Sequence, residues 1–448
     1  MKIVIVGIGN VGQELLAQLS QEGHDIVCVD ANETLLEKMA NTFDCMGVCG
    51  NGASYEVLKE AGVENTDLLI ACTPQDELNI LCCMVAKKLG AKDTIARVRT
   101  PEYFTLFKDK DLGLSMMVNP EYETALSIAR ILRYASALKV ENFANGKVDI
   151  VEVRVSPDSK LKGVALKDLA KVINTKILLC AVDRNGEIHI PSGDFVIEQD
   201  DRIYVTATAK SISEFFKEIK GNKQTRTCII TGGNQIAFYL AKELEKVGTR
   251  VKIIEENPDQ CSKLAEALQT VEVIQGDSAD QDLLLDEGLS TTDALICLTG
   301  IDEQNVLVST FANSIGVSKV VTRVEKRPYY KMLKFSNIDS IISGKSTTAE
   351  HIIRYARSKQ GSSGSSVARL YRIANDQAEA LEFIVTKNFK ALNVPLKQVK
   401  FKPNTLIGSI IRNGEVIFPT GNDSIRENDS VIVVYAGRNA DDINQFLE

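Results

Sequence analysis

The segment KIVIVGIGNVG, residues 2–12, decides the fold of the N-terminal part of this chain. Its apolar run predicts a buried β-strand, and Gly7, Gly9 and Gly12 follow with the spacing G-x-G-x-x-G before a helical stretch. Asp30 closes the next apolar run, DIVCVD. A strand, a glycine loop, a helix and an acidic residue at the end of the second strand predict a Rossmann-type nucleotide-binding unit.

Each residue of this pattern has a physical role beside a phosphate. Gly7 permits the tight turn, Gly9 lets backbone N–H groups approach the phosphate, and Gly12 lets the helix press against the strand. The helix N-terminus adds partial positive charge, worth ~0.3–1 kcal/mol per favourable anion. Asp30 can accept hydrogen bonds from ribose hydroxyls and would repel a 2′-phosphate, so NADP is not expected. The alternative is that Asp30 only caps a strand and the glycines only serve packing.

Asp30 does not separate NAD from ATP or ADP, which also carry a ribose and phosphates. Arg97 and Arg99 could help to distinguish these nucleotides by binding their phosphates. The two residues lie two apart on a predicted strand and are therefore expected to share a face. A guanidinium at the end of a strand suits phosphate in bidentate fashion. The alternative for Arg97 is a salt bridge to a surface carboxylate.

The chain is an internal duplication. In the segments LLIACTPQDELNI and ALICLTGIDEQNV and their continuations, Thr73 pairs with Thr299 and Arg97 with Arg323, at one offset (323 − 97 = 226). The segment from Cys180 repeats from Ser409, close to the C-terminus. Four units therefore follow one another, a large and a small unit in each half.

The fold class predicted from this order is α/β. Strands that are apolar throughout alternate with helices in the large units, which indicates two Rossmann-like, doubly wound parallel-sheet domains, residues 1–135 and 225–358. Each is followed by a small α+β module, residues 140–221 and 367–448. The polar segments KGNKQTRT (220–227) and GSSGSS (361–366) are expected to be joints.

The second glycine loop, TGGNQIA (231–237), departs from the first. Our alignment pairs Thr231, Gly233 and Ile236 with the three glycines, Glu255 with Asp30, and Asp277 with Asn51. On this alignment only the middle glycine remains, and Ile236 puts a branched side chain where close contact is needed. We expect a weaker or differently selective nucleotide site here, or an empty one.

Composition narrows the class of protein. A chain of 448 residues is too long for a single hydrophobic core, so several domains are expected. Its net charge of −8 argues against a nucleic-acid partner. The strand at the N-terminus leaves no room for a secretory signal, and no apolar run approaches the ~20 residues of a membrane span, so a cytosolic protein is expected. Five of the ten cysteines lie in apolar runs and are expected to be buried rather than metal-bound or disulfide-bonded: Cys28, Cys72, Cys180, Cys228 and Cys297.

Nothing in the sequence indicates a catalytic site. The three histidines, His24, His189 and His351, are accompanied by no repeated arrangement of Ser, Cys or carboxylate residues. Packing or surface roles are expected for them, and the protein is expected not to be an enzyme. Two other functions stay open for this chain. One is an NAD-dependent dehydrogenase, and the other is a soluble nucleotide or redox sensor whose partner is not a membrane channel.

The order of units, the GIGNVG loop with Asp30, the ACTPQDELNI segment, ARVRTPEY and IPSGDFVIEQDDRIYV resemble the TrkA family. These are the cytosolic regulatory subunits of prokaryotic Trk potassium uptake systems, built from two RCK (KTN) units. The resemblance covers essentially the whole chain. It implies a homo-oligomer, a dimer or tetramer forming a ring, that lies on the inner face of the cell membrane beneath a potassium-translocating subunit. Bound NAD(H), ATP or ADP would shift the ring between gating states.

The resemblance also implies the residues of two nucleotide sites. The first site would comprise Gly7, Ile8, Gly9, Asn10, Val11, Gly12, Asp30, Asn51, Gly52, Thr73, Pro74 and Arg97. The second would comprise Thr231, Gly232, Gly233, Asn234, Gln235, Glu255, Asp277, Thr299 and Arg323.

Overall fold

The computed structural model describes residues 1–108, 113–134, 136–220, 225–326, 329, 333, 338, 340–359, 365–373, 377–437 and 440–448. Contacts within the chain define two compact units, one of residues 1–124 with 343–356 and one of residues 125–342 with 357–448. Most of the two predicted joints, residues 221–224 and 361–364, lies outside the described residues.

The first unit contains a six-stranded sheet. In chain order the elements of this segment are β1 (Lys2–Val6), α1 (Asn10–Leu19), β2 (Asp25–Asp30), α2 (Glu33–Thr42), β3 (Met46–Cys49), α3 (Tyr55–Glu60), β4 (Leu68–Ala71), α4 (Asp76–Leu89), β5 (Asp93–Arg97), β6 (Met116–Val118) and α5 (Pro120–Leu132). The strand order is β3-β2-β1-β4-β5-β6 and every pair is parallel. The order reverses between β1 and β4, and the carboxyl ends of parallel strands open a ligand crevice at such a point.

Both faces of this sheet are buried, which explains why its strands are apolar throughout rather than alternating. Val4 and Val6 belong to the core cluster that α3 and α4 cover, together with Leu58 and Cys82. Ile5, whose side chain points to the opposite face of β1, has no exposed surface either.

The second unit begins with a five-stranded antiparallel module and a second parallel sheet. Their elements are β7 (Ala137–Phe143), β8 (Val148–Arg154), β9 (Leu178–Arg184), β10 (Glu187–His189), β11 (Arg202–Ala207), α6 (Ala209–Lys220), β12 (Thr227–Thr231), α7 (Gln235–Glu245), β13 (Arg250–Glu255), α8 (Pro258–Ala267), β14 (Glu272–Gln275), α9 (Gln281–Asp286), β15 (Ala294–Cys297), α10 (Asp302–Ser314), β16 (Lys319–Arg323) and β17 (Ser340–Ile342). The parallel sheet has the order β14-β13-β12-β15-β16-β17 and repeats the first.

The chain ends with α11 (Gly344–Lys359) and a second antiparallel module, β18 (Ser365–Ile373), β19 (Ala378–Val385), β20 (Thr405–Arg412), β21 (Glu415–Ile417) and β22 (Ser430–Tyr435). Residues of both modules share one apolar cluster, in which Tyr204 and Cys180 of the first meet Tyr371 and Ile432 of the second. The predicted fold class, two parallel α/β sheets each followed by a smaller module, is confirmed.

Most residues of two helices belong to a different compact unit from the one that their position in the sequence suggests. Ala125, Ile128, Ile131 and Leu132 of α5 belong to the core of the second parallel sheet. Residues 343–356, which include most of α11, belong to the first unit, where the Tyr355 hydroxyl donates to Asp93 at 2.8 Å. The periodicity of α5 predicts an amphipathic helix, but it does not state which sheet the apolar face covers.

Near the end of α11, Arg357 forms an ion pair with Glu379 of β19 at 3.0 Å, and both side chains are 1% exposed. Among the described helices, none has both the length and the apolar character required to cross a bilayer.

Candidate functional site

The first glycine loop joins β1 to α1 in a conformation that requires glycine at two positions. Gly7 has a φ of +90°, and a Cβ there would lie 2.7 Å from the backbone nitrogen of Thr73. A Cβ on Gly12 would lie 2.1 Å from the carbonyl oxygen of Gly7. The turn and the close approach of α1 therefore both depend on missing side chains.

The helix that follows starts without a side-chain cap, because its N-cap residue is Gly9. Gly9 and Asn10 are exposed, whereas Ile8 and Val11 are buried. The first amides of a helix have no intrahelical partner and carry the positive end of its dipole. An anion at this terminus would meet backbone donors directly.

Asp30 holds the loop from the end of β2. One of its carboxylate oxygens accepts from the Ile8 amide at 2.6 Å and the other from the Asn32 amide at 2.9 Å. A carboxylate offers about four acceptor positions, so capacity remains for two ribose hydroxyls. Asp30 is half-buried, and its contact with a ribose stays a prediction.

The loop after β3 brings two more predicted residues close to β1. The side-chain oxygen of Asn51 accepts from the Ala53 amide at 2.9 Å, and the residue is exposed. A Cβ on Gly52 would lie 2.1 Å from a methyl carbon of Val6. Gly52 thus lets this loop pack directly against the strand that precedes the glycine loop.

Thr73 and Arg97 are linked by a residue that was not predicted as part of the site, Asn79. Its buried side chain accepts from the Thr73 amide at 2.8 Å and from the Thr73 hydroxyl at 2.7 Å. It donates to the carbonyls of Thr73, at 3.0 Å, and Arg97, at 2.8 Å. Asn79 therefore ties the ends of β4 and β5 together, and its repeat as Asn305 was the available sequence signal.

Asp76 fixes the segment that follows β5. Its carboxylate accepts from the amides of Arg99 and Thr100, at 2.9 and 2.8 Å, and from the Thr100 hydroxyl at 2.8 Å. Burial alone would raise the pKa of Asp76, but these donors and the charge of Arg99 outweigh it and hold the pKa below its usual value. The Arg99 guanidinium also donates to the Pro74 carbonyl.

The predicted pairing of Arg97 with Arg99 on one strand is wrong, because β5 ends at Arg97. Arg99 lies beyond the strand and is engaged by Asp76 at 3.6 Å. Arg97 is part-buried and lies 3.7 Å from Glu121 in the first turn of α5. The nitrogen Nε of Arg97 and the second oxygen of Glu121 have no hydrogen-bond partner among the described residues. The carboxylate alternative for Arg97 is therefore realised, at a distance longer than the ~2.7–2.9 Å of a charge-assisted hydrogen bond.

The structure corrects our alignment of the second loop by one residue. Gly232 has a φ of +91°, and its added Cβ would lie 2.8 Å from the Thr299 amide, so it occupies the position of Gly7. The Gly233 amide donates to Glu255 at 2.6 Å, as Ile8 does in the first loop. The pairs are therefore Gly7 with Gly232, Ile8 with Gly233, Gly9 with Asn234 and Gly12 with Ala237.

The first glycine, not the middle one, is therefore retained. Thr231 is the buried last residue of β12 and stands where Val6 stands in the first unit. Ile236 does not face the position that needs glycine, and the exposed Gln235 begins α7 in place of Asn10. The expectation that Ile236 spoils the close contact was wrong, because it depended on the shifted alignment.

The second helix N-terminus is capped by the protein itself. The side-chain oxygen of Asn234 accepts from the amides of Ile236 and Ala237, at 3.0 and 3.1 Å. Its amide nitrogen donates to the Leu298 carbonyl at 2.5 Å. Gln260 of α8 donates to the Gly233 carbonyl at 2.7 Å.

The remaining residues of the second site repeat the first with changes in charge. Asn305 bonds to Thr299 and to the Arg323 carbonyl as Asn79 does in the first unit. Asp277 is exposed and accepts from the Ala279 amide at 2.8 Å, in the position of Asn51. Arg323 donates from Nε to Glu325 at 3.0 Å.

The cysteines predicted to be buried are buried: Cys28, Cys72, Cys180, Cys228 and Cys297. Burial raises the pKa of Cys72 to about 12, so the thiol stays protonated and donates to the Gly7 carbonyl at 3.1 Å. Over the described residues, no group of three or more His, Cys, Asp or Glu side chains could hold a metal ion.

Each of the three histidines contacts a residue outside the two glycine loops. His24 is buried, 3.7 Å from Glu22. His351 of α11 lies 3.4 Å from Glu123, and His189 of β10 packs against the ring of Phe195.

Comparison with known proteins gives the family. The sequence model of the TrkA-N domain matches residues 3–120 and 228–344, and that of the TrkA-C domain matches residues 150–220 and 380–448. The Trk system potassium uptake protein TrkA of Vibrio alginolyticus is 33% identical over 445 residues, which cover 97% of this chain and 95% of that protein.

Two solved structures share the fold. One, described as the GsuK channel bound to NAD, aligns over 99% of this chain and 78% of its own, with a TM-score of 0.64 and 16% identity. Another, described as GsuK bound to ADP, aligns over 79% and 68%, with a TM-score of 0.51 and 14% identity. The matches to both domain models in each half, and the full-length relative, lead to one conclusion: the chain belongs to the TrkA family of Trk system potassium uptake proteins.

Proposed function

We propose that this protein is a non-catalytic regulatory subunit that senses an adenine nucleotide at its first glycine loop and gates a Trk-type membrane potassium uptake protein. The observation that carries the proposal is the uncapped, exposed start of α1 at Gly9, beside the carboxylate of Asp30. Gly9 follows β1, beside which the strand order of the first sheet reverses, and Asp30 ends the neighbouring strand β2. Backbone donors for a phosphate and acceptors for a ribose are thus present at one crevice.

The ligand is NAD(H), ATP or ADP. Phosphates would bind the amides at the start of α1, from Gly9 to Gly12, and the ribose hydroxyls would bind Asp30. A 2′-phosphate would meet the Asp30 carboxylate, which disfavours NADP. Support for both kinds of ligand comes from the structural relatives, one described as bound to NAD and one as bound to ADP.

Arg97 is the residue through which the ligand acts. Its guanidinium lies 3.7 Å from Glu121, and its Nε has no hydrogen-bond partner among the described residues, so a nearby phosphate oxygen can compete for it. Glu121 lies in the first turn of α5, and α5 continues past Thr124 into residues that belong to the second unit. A phosphate that takes Arg97 away from Glu121 changes the forces on that helix. Because the reach to a terminal phosphate differs between ATP and ADP, the two have different effects.

The magnitude required is modest in an oligomer. Moving a gate from 1:99 to 99:1 needs about 5.5 kcal/mol of differential binding, or a preference of about 10⁴. A tetrameric ring with one site in each chain needs a preference of only about tenfold per site, and a dimeric ring about a hundredfold. The ring lies at the inner face of the cell membrane, where it meets the potassium-translocating subunit.

The test is potassium flux through the membrane subunit in liposomes, with the purified chain and with NADH, ATP or ADP. Arg97→Ala is expected to abolish the difference in flux between nucleotides. Arg323→Ala, the equivalent change in the second sheet, is the matched control and is expected to leave that difference in place. Unchanged nucleotide-dependent flux in Arg97→Ala would refute the role of Arg97, and turnover of NADH by the purified chain would refute the non-catalytic role.

A further inference from the structure

We propose that the side chain of Asn234 acts as a built-in substitute for a phosphate and excludes nucleotide from the second glycine loop. Each chain then binds one nucleotide, although it contains two nucleotide-binding folds. This inference rests on the proposed function in one respect, that the first loop binds nucleotide.

The first argument is the position of the Asn234 oxygen. It accepts from the amides of Ile236 and Ala237, the donors that a phosphate needs at the start of α7. The corresponding residue of the first loop is Gly9, which has no side chain. The same backbone turn is therefore open to an anion in one half of the protein and occupied in the other.

The second argument is that Asn234 is held at both ends. Its amide nitrogen donates to the carbonyl of Leu298, a fully buried residue, at 2.5 Å. A ligand phosphate would have to displace three hydrogen bonds of one side chain. It would also leave the buried Leu298 carbonyl without this donor, which is costly.

The third argument is a hydrogen bond between the second loop and a neighbouring helix. Gln260, near the start of α8, donates to the Gly233 carbonyl at 2.7 Å and so joins the loop to the helix after β13. The residue at the same offset in the first unit is Leu35 (260 − 225 = 35), which cannot form this bond. In the first loop, the equivalent carbonyl, that of Ile8, instead accepts from Gln13 of the loop's own helix, at 3.0 Å.

The fourth argument is charge. The acidic residue at the end of the second strand is retained, as Glu255 for Asp30, but Asp277 replaces the neutral Asn51. Asp277 is exposed and follows Gly276, whose amide donates to the Glu255 carbonyl at 3.0 Å, so its carboxylate adds negative charge beside the end of β13. The second loop is thus both capped and less favourable to anions.

The experiment exchanges the deciding residues between the two loops of the full chain. Gly9→Asn installs the cap in the first loop, where an added Cβ would meet no atom within 4 Å. Asn234→Gly, combined with Gln260→Leu and Asp277→Asn, opens the second loop. Asparagine and glycine are both competent N-cap residues, so α1 and α7 are expected to remain folded. Circular dichroism checks this, and equilibrium dialysis with labelled NAD and ADP counts the bound nucleotides per chain.

We expect one nucleotide per wild-type chain, at least a tenfold weaker affinity in Gly9→Asn, and two nucleotides per chain in the Asn234→Gly triple variant. Two nucleotides per wild-type chain, undiminished binding in Gly9→Asn, or no added binding in the triple variant would each overturn the inference. No binding to the wild type together with one nucleotide in the triple variant would refute the proposed function of the first loop and support the role of Asn234.

Hydrogen exchange on the wild type gives a test that needs no variant. Saturating NAD is expected to protect the amides of residues 10–12 and to leave those of Ile236 and Ala237 unchanged. New protection of Ile236 and Ala237, with or without protection of residues 10–12, would overturn the inference.

Discussion

Replacing Asn79 by alanine tests whether the hydrogen bonds that join the ends of β4 and β5 hold the nucleotide site in its binding geometry. The substitution removes four hydrogen bonds, two from the amide and hydroxyl of Thr73 and two to the carbonyls of Thr73 and Arg97. At about 0.5–1.5 kcal/mol of net stability for each bond, the expected loss is about 2–6 kcal/mol. Asn305→Ala removes the equivalent four bonds in the second sheet and is the matched control.

Local stability and nucleotide affinity separate the two variants. Hydrogen exchange of β4 and β5, or of β15 and β16, reports the local loss, which suits a chain with two compact units better than one global unfolding midpoint. Calorimetric titration with NAD is expected to show at least a tenfold weaker Kd, about 1.4 kcal/mol, for Asn79→Ala only. A local loss below about 1 kcal/mol, or equal weakening of NAD binding by Asn305→Ala, would refute the reasoning.

Three further predictions follow from the packing and charges. Gly12→Ala is expected to destabilise the first unit and weaken NAD binding, because the added Cβ would lie 2.1 Å from a loop carbonyl oxygen. Ala237→Gly, the change at the equivalent position of the second loop, is expected to cost only about 1 kcal/mol of stability. Thermal melting and calorimetric titration compare the two variants, and equal effects would contradict the described packing of the first loop. Asp76 has a lowered pKa in the folded protein. Its contribution to stability is therefore complete above its unfolded value of about 3.9 and is lost as the pH falls through the lower folded value. Melting of Asp76→Asn is expected to show a flatter acid limb, and an unchanged limb would refute this. Arg357→Met removes the partner of the buried Glu379 and is expected to lower the free energy of unfolding by about 3–5 kcal/mol. The double variant Arg357→Met, Glu379→Leu is expected to restore much of this stability. Equal melting temperatures for the single and the double variant would contradict this prediction.

The two glycine loops show how far sequence reasoning extends at the candidate site. Gly7 and Gly12 were assigned from spacing alone, and the structure shows the tight turn and the close helix contact expected of them. Asp30 accepts from the Ile8 amide, and its contact with a ribose stays a prediction. Asn234 was included as a residue of the second site, but its role as a cap was missed, although asparagine is among the preferred N-cap residues. The signal was hidden by the one-residue error in our alignment.

What the sequence determined by itself is the local and repeated part of the structure. Backbone sterics allow few residues besides glycine at Gly7, and strands buried on both faces must be apolar throughout, so the parallel sheets and their duplication could be predicted without coordinates. The burial of the strand cysteines followed from the same pattern.

The tertiary structure alone decided which groups meet across long separations in the chain. The apolar side of α5 could have covered either sheet, and its residues from Ala125 onward joined the core of the second. The contact between Arg97 and Glu121 likewise depends on how that helix starts. Helical periodicity specifies that a face must be buried but not the surface that buries it, because hydrophobic burial is non-directional and many apolar surfaces satisfy it equally.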